Sequence, residues 1–298
     1  MLNAITLSSL TKSYGKARGV IDLDLEIRTG EVFGFLGPNG AGKTTTIRTL
    51  LDLIRPTTGT ATVLGLDSKE HSLEIRSRTG YLPGELSLYE EMTVEESLDY
   101  LSSLRGGGPT GRIKELSDQF ELDLTRKIKD LSTGNKQKVG IVQAFAHEPE
   151  LLVLDEPTGG LDPLMQQNVY HLIDAARDEG RTVFLSSHVL PEVERIAERV
   201  GIIRKGKLIE VATVDDLKDR AVRVVEVRFE GDGPDEQTLM KVENVVSVQP
   251  RRTTTQIRIE GSMAALVKAF AEYEVVAMRS EEADLEEVFL DLYREEDE

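Results

Sequence analysis

The chain has 298 residues, enough for one large domain and a small one; 39% of them are hydrophobic and 30% charged, the balance of an ordinary globular protein. Fifty-three acidic against 36 basic residues give a net charge of −17, a surface repelled by phosphate backbones, which argues against nucleic acid as a partner. There is no cysteine, so disulfides, thiol catalysis and cysteine-ligated zinc are excluded, and no apolar stretch approaches the ~18 residues of a membrane helix. No charged-then-apolar leader opens the sequence, which predicts a chain that stays in the cytoplasm.

The first thirty residues alternate apolar and polar positions in two runs, Ile5 to Leu10 and Val20 to Ile27. They read as antiparallel strands joined by a turn at Ser13 to Arg18. Tyr14 lies in that turn, where an aromatic either closes the edge of a small sheet or offers a flat face to a base. Next comes Val32 to Leu36, a short apolar run, followed by Gly37-Pro38-Asn39-Gly40-Ala41-Gly42-Lys43-Thr44-Thr45. Apolar residues then recur at Ile47, Leu50, Leu51 and Ile54 with helical spacing. Strand, glycine loop and helix with GxxxxGKT at the junction is the phosphate-cradling P-loop in its confirming context. Glycines are needed because backbone N–H groups converge on a polyphosphate only where no Cβ intervenes. The helix adds its unpaired N–H groups and positive dipole end. In this pattern Lys43 reaches the β- and γ-phosphates and Thr44 is a Mg²⁺ ligand.

Arg55 to Gly59 marks a stop, Thr60 to Leu64 a short strand, and Leu73 to Arg76 a short helix. Tyr81-Leu82-Pro83-Gly84-Glu85 reads as a strand end entering a loop. Thr93 with Glu96 has capping-box spacing and predicts a helix through Leu104, ended by Gly106 to Pro109. Residues 110–147 read as mostly helical, so 86–147 form a helical insertion. Within it Leu131-Ser132-Thr133-Gly134-Asn135 opens a helix, with Ser132 read from the residues alone as a simple N-cap.

Leu151 to Leu154 has the continuous apolar character of a strand buried in a parallel sheet, and it ends in Asp155-Glu156-Pro157. Two acids at the end of a buried strand are unfavourable unless a cation or a reacting group uses them. In a P-loop protein the first holds Mg²⁺ and the second is placed to deprotonate an attacking water. Val183 to Leu185 is the next buried strand, and Ser186-Ser187-His188 leaves its carboxyl end, where open α/β sheets keep their ligands. His188 is therefore a functional candidate, whereas His71, His147 and His171 read as structural. A hairpin around Lys205-Gly206 and a helix from Asp215 to Arg220 follow. In the tail, strands are expected at Val222–Phe229, Val245–Val248, Gln256–Ile259 and Val275–Met278, and a helix at Ala264–Tyr273. Leu285, Val288, Phe289 and Leu292 form an apolar stripe that suits packing on that small sheet.

Tyr14, GPNGAGKTT at 37–45, LSTGNKQKV at 131–139, LLVLDEPTGGLDP at 151–163 and SSH at 186–188, in this order, resemble the ATP-binding cassette (ABC) ATPases over residues 1–220. The resemblance implies an α/β fold: a P-loop ABC ATPase domain with a mixed sheet core, an antiparallel β subdomain and the helical insertion, followed by a small α+β C-terminal domain from 221 to 298. It implies that Tyr14 stacks on adenine, that Asp155 serves the Mg²⁺ site, that Glu156 is the general base and that His188 contacts the γ-phosphate. It further implies a head-to-tail dimer with ATP between two copies. Ser132, Gly134 and Asn135 would then meet the γ-phosphate held by the other subunit, with Asp162 across the same interface, which replaces the reading of Ser132 as only a cap. Two positions depart from the pattern: Thr133 and Asn135 stand where the family has glycine and glutamine, and Gly84 stands where it has a glutamine that contacts Mg²⁺. Either Glu85 supplies that contact or it is lost, and Glu85 is carried as the candidate ligand. The tail ending in LEEVFLDLY resembles that of drug- and antibiotic-efflux subunits. The reading is thus an ATPase subunit working with a separate integral membrane permease at the cytoplasmic face of the membrane, the permease docking near Pro83 and the helical insertion. A non-transport ABC ATPase of DNA repair or translation is the alternative. Against it stand the single cassette, the lack of cysteine and of coiled-coil heptads, and the acidic charge.

Overall fold

The computed structural model describes residues 2–15, 17–105, 110–220, 222–281 and 289. The chain forms two compact units, Met1–Val211 and Ala212–Glu298. In the first, β1 (Asn3–Tyr14) and β2 (Ala17–Arg28) pair antiparallel. The strands are longer than the apolar alternation predicts, because register shifts between Leu7 and Leu10 and between Leu10 and Lys12 break the period of two without ending the pairing. After β3 (Val32–Leu36) and α1 (Lys43–Leu50) come β4 (Thr58–Val63) and β5 (Leu66–Asp67), which complete a four-stranded sheet in the order β2-β1-β4-β5.

The chain continues through α2 (Ser72–Ser77) and β6 (Thr79–Leu82) into α3 (Val94–Ser103), α4 (Thr110–Gln119) and α5 (Thr133–Phe145). The expected capping box is formed in full: Thr93 Oγ1 accepts from the Glu96 N–H, and the Glu96 carboxylate accepts from the Thr93 N–H. Residues 110–147 are mostly helical, as expected, with one interruption between α4 and α5. Glu121 takes a left-handed φ of 51°, Asp123 Oδ1 accepts from the Thr125 N–H, and the Val94 and Glu95 N–H groups donate to the Arg126 and Leu124 carbonyls. That segment spends its backbone hydrogen bonds on the start of α3 and on one 3₁₀ turn, Ile128–Asp130. The glycine run 106–109 lies outside the described residues.

Then follow β7 (Leu151–Asp155), α6 (Pro163–Asp178), β8 (Thr182–Ser187), α7 (Leu190–Ile196), β9 (Arg199–Arg204) and β10 (Lys207–Thr213). The core sheet has the order β10-β9-β3-β8-β7-β6, with β9, β3, β8, β7 and β6 mutually parallel. Every residue of β3, β7 and β8 is buried, as strands covered on both faces must be. Phe33, Phe35 and Phe184 pack together there in a core shared with Ile5, Leu7, Leu10 and Ile47. Because β3 is central, the loop after it opens at the carboxyl edge of the sheet, beside the ends of β7 and β8. Lys205 and Gly206, both at positive φ, make the expected two-residue hairpin turn.

The second unit begins with α8 (Val214–Arg220) and carries β11 (Val222–Phe229), α9 (Glu236–Leu239), β12 (Val245–Pro250), β13 (Thr255–Glu260), α10 (Ala264–Phe270) and β14 (Val275–Glu281). Its strands pair antiparallel in the order β12-β13-β11-β14. Val225, Val227, Ile257 and Ile259 bury one face against Leu239, Leu266 and Phe270. Of the apolar stripe, Leu285, Val288 and Leu292 lie outside the described residues; Phe289 is buried.

Candidate functional site

The loop between β3 and α1 turns on Gly40 and Gly42, at φ 77° and 117°, values that L side chains rarely adopt. Gly42 caps α1, whose amino end has no side-chain cap and no acid in its first turn. The first N–H groups of α1 are therefore left without a capping side chain at the amino end, where an anion is favoured. Lys43 is buried at 6% exposure. Its Nζ donates to the Gly37 carbonyl at 2.6 Å and lies 3.4 Å from the Pro38 carbonyl and from Glu156 Oε1. The ammonium is thus held by groups that an incoming polyphosphate can outcompete.

Opposite the loop, β7 delivers Asp155, 1% exposed. Its Oδ2 accepts from Thr44 Oγ1 at 2.8 Å and its Oδ1 from Ser186 Oγ of β8. Burial, and after it the charge on Asp155, raises the Tyr81 phenol above its ordinary pKa. The backbone of Gly84 passes so close that a Cβ there would lie 3.1 Å from Asp155 Oδ2. The departure from the family's glutamine therefore comes with a close approach of main chain to the carboxylate. Glu85 joins Pro38, Asn39, Gly40, Gly42, Lys43, Thr44, Thr45, Gly84, Asp155 and Glu156 around one cleft of about 310 Å³. Thr44, Asp155 and Glu85 all line this cleft, and hydroxyl and carboxylate oxygens are the donors that suit Mg²⁺ beside substrate phosphates.

Glu156 has a left-handed φ of 53°, uncommon for a residue with a side chain. This turn sends its carboxylate back toward the loop, where Oε1 faces Lys43 and Oε2 faces His188 Nδ1 at 2.8 Å. His188 is held at the end of β8 by its neighbour: Ser187 Oγ donates to Glu192 Oε2 at 2.9 Å and accepts from the Val189 N–H, and Thr158 Oγ1 donates to the other oxygen of Glu192. Lys43, Glu156 and His188 thus form one polar set and Thr44, Asp155 and Ser186 another, the two joined by the Asp155–Glu156 peptide.

Other predicted residues are not brought to this cleft. Ser132 caps α5, its Oγ accepting from the Asn135 N–H at 3.3 Å, and Asp162 caps α6 by accepting from the Leu164 and Met165 N–H groups. Gly134 abuts the turn after β7; a Cβ there would lie 2.6 Å from the Gly160 carbonyl. Tyr14 ends β1, 47% exposed, with Lys12 Nζ 5.2 Å from its ring centroid. None of these four residues lines the cleft. Sequence reasoning missed Ser186, Thr158, Glu192 and Gln137, whose amide donates to the Glu156 and Pro157 carbonyls. Each acts through a tertiary contact; Ser186, Gln137 and Thr158 lay within the quoted motifs without a role of their own, and Glu192 had no signal.

A family model described as ABC transporter matches residues 20–159. The chain is 39% identical over 232 residues to the bacitracin transport ATP-binding protein BcrA of Bacillus licheniformis, covering 77% of this chain and 76% of that one. It is 32% identical to the uncharacterized ABC transporter ATP-binding protein YcbN of Bacillus subtilis, over 98% of this chain and 97% of the other. A solved ATP-binding subunit of an ABC transporter superposes with a TM-score of 0.67 at 30% identity, covering 72% of this chain and 92% of its own.

Proposed function

Because the chain belongs to the ABC transporter family, as an ATP-binding and ATP-hydrolysing subunit, we infer that it powers export of a drug, antibiotic, lipid or polysaccharide through a separate membrane permease. The observation that carries this reading is the junction of Lys43, Glu156 and His188 at the cleft where Thr44 meets Asp155. The triphosphate of ATP lies along the loop backbone from Gly37 to Thr45, and Lys43 exchanges the Gly37 carbonyl and Glu156 for phosphate oxygens. Released from Lys43, the Glu156 carboxylate accepts the proton of the attacking water, and His188 orients Glu156 and the γ-phosphate. Thr44 and Asp155, with Glu85 in place of the glutamine absent at Gly84, would hold Mg²⁺, whose charge would offset that of the phosphates.

Ser132, Gly134, Asn135 and Asp162 lie away from the cleft in their own chain, which suits a site completed by a second copy. Tyr14 supplies the adenine platform from the end of β1. ATP then favours the closed dimer because its contacts with Ser132 and Gly134 exist only there, and hydrolysis removes that preference. The permease docks beside Pro83 and the helical insertion, and the unit from Ala212 onward is an accessory domain. Among the described residues no helix is long and apolar enough to cross a membrane, so attachment to the membrane is assigned to the permease. The similarity to a bacitracin transport subunit supports an antibiotic as cargo. Solubilising native membranes with the tagged chain tests the reading: a multi-span protein should co-purify and stimulate ATP turnover, and recovery of ribosomes or DNA instead would overturn it.

A further inference from the structure

We propose that Gln137 is a positioning residue for the base, fixing the backbone that aims the Glu156 carboxylate; this rests on the reading of Glu156 as base. A non-glycine residue in the left-handed region is unfavourable by about 1–3 kcal/mol and persists only where its surroundings hold it there. Glu156, at φ 53°, is followed by Pro157, which has no N–H to donate. The Glu156 N–H is tied to the Ser186 carbonyl at 3.0 Å, and its carbonyl accepts from the Gly159 N–H. The Pro157 carbonyl receives Gln137 Nε2 at 3.1 Å, and the same nitrogen lies 3.2 Å from the Glu156 carbonyl. Gln137 is 7% exposed. A primary amide buried there spends both N–H bonds on two successive carbonyls, and so clamps the peptide plane that fixes where Glu156 points.

Gln137 stands on α5, three residues after Gly134 and therefore on the same face of the helix. Gly134 itself meets the Gly160 carbonyl so closely that a Cβ would lie 2.6 Å away. The helix thus rests on the turn after β7 at two points, at Glu156-Pro157 through Gln137 and at Gly160 through Gly134. Its amino end, at Ser132, faces the nucleotide of another copy in the reading above, while Glu156 faces the chain's own nucleotide. A tilt of α5 on closure would move the Glu156 backbone with it. The Gln137 amide is the element that makes the two sites of a dimer respond together.

Two variants of the full chain test this. Gln137→Met keeps side-chain length and removes the donors; Gln137→Glu keeps the shape and sets an acceptor against two carbonyls. Both should fold, bind ATP within about 3-fold of the parent, and lose at least about 10-fold in kcat with little change in KM, Gln137→Glu more severely. Placed in a Glu156→Gln background, Gln137→Met should cause no further loss, because a residue acting through Glu156 has nothing left to position. An unchanged kcat in both variants would overturn the proposal. So would a loss that adds fully to that of Glu156→Gln, an equal fall in ATP binding, or failure of both variants to fold, each of which makes Gln137 merely structural. If Glu156→Gln alone turned over like the parent, the base assignment would fail instead, a distinct result.

Discussion

Replacing Glu156 by Gln separates the chemistry of the cleft from its binding. The amide is the same size as the carboxylate and can still meet His188 Nδ1, which lies 2.8 Å away, so the turn after β7 need not move. What disappears is the proton acceptor, whose contribution to a hydrolytic step is about 10²- to 10⁴-fold, or about 3–5 kcal/mol on the barrier. Binding should respond in the opposite sense. Lys43 Nζ sits 3.4 Å from Glu156 Oε1, and at an effective dielectric of about 20 such a pair attracts by about 5 kcal/mol before desolvation is counted. ATP must draw Lys43 away from that partner. With Glu156 a quarter exposed and partly screened, removing the charge should return about 1 kcal/mol to ATP, about a 5-fold gain in affinity. Phosphate release reads the turnover, a fluorescent ATP analogue the affinity, and light scattering with ATP the trapped dimer. Turnover within about 3-fold of the parent would refute the base assignment. A parallel loss of ATP binding would show that Glu156 holds the cleft together instead of acting in it.

The other expectations follow from the same geometry. Lys43→Ala removes the buried ammonium and should weaken ATP binding at least about 10-fold, read by the same titration; unchanged affinity would argue against the cradle. Glu85→Ala should raise the Mg²⁺ concentration needed for half-maximal turnover while leaving the rate at saturating Mg²⁺ close to the parent's, because Thr44 and Asp155 remain; an unaltered Mg²⁺ curve would remove Glu85 from the metal site. His147 is held down to a pKa of about 4 by burial and, secondarily, by Arg105, so the fold keeps it neutral while the unfolded chain takes up a proton below about 6.5. The unfolded state binds more protons between those values, so this stabilising contribution is intact above about pH 6.5 and lost as pH falls toward 4. Melting temperatures at pH 7 and pH 5 should therefore drop further for the parent than for His147→Asn, and equal drops would exclude His147 as the source.

The nucleotide cradle was legible because its chemistry is local. Gly40 and Gly42 occupy backbone conformations that other residues avoid, and Lys43 follows them directly, so pattern and geometry coincide. The same holds for the Thr93–Glu96 cap and for the buried strands β7 and β8. Where the pattern misled, tertiary pairing had overridden local spacing: β1 and β2 run through their bulges, and the segment after α4 gives its hydrogen bonds to α3 instead of forming helix. The four-residue α9 is too short to leave a periodic trace. At the cleft, the left-handed turn at Glu156 and the Gln137 clamp could not be read from the chain, since a buried amide donor looks the same in sequence as an exposed one. The Thr158–Glu192–Ser187 bridge is a meeting of three elements, invisible to any spacing rule.

The central place of β3 also governs the order in which the molecule can be made. Val32 pairs with Val183, and Phe33 with both Phe184 and Arg199 through its two neighbours. A ribosome therefore releases the glycine loop long before either flanking strand exists. Until Ser187 has emerged, β3 is an apolar strand with both edges open, and one edge stays open until β9 follows, the condition in which nascent chains are most prone to pair wrongly. Closing so long a loop also makes this sheet slow to form. The β1–β2 hairpin and the helices between β6 and β7 draw their contacts from nearer in sequence and can organise earlier. The ability to bind ATP is thus acquired late in synthesis, although the residues that define it are among the first to be made.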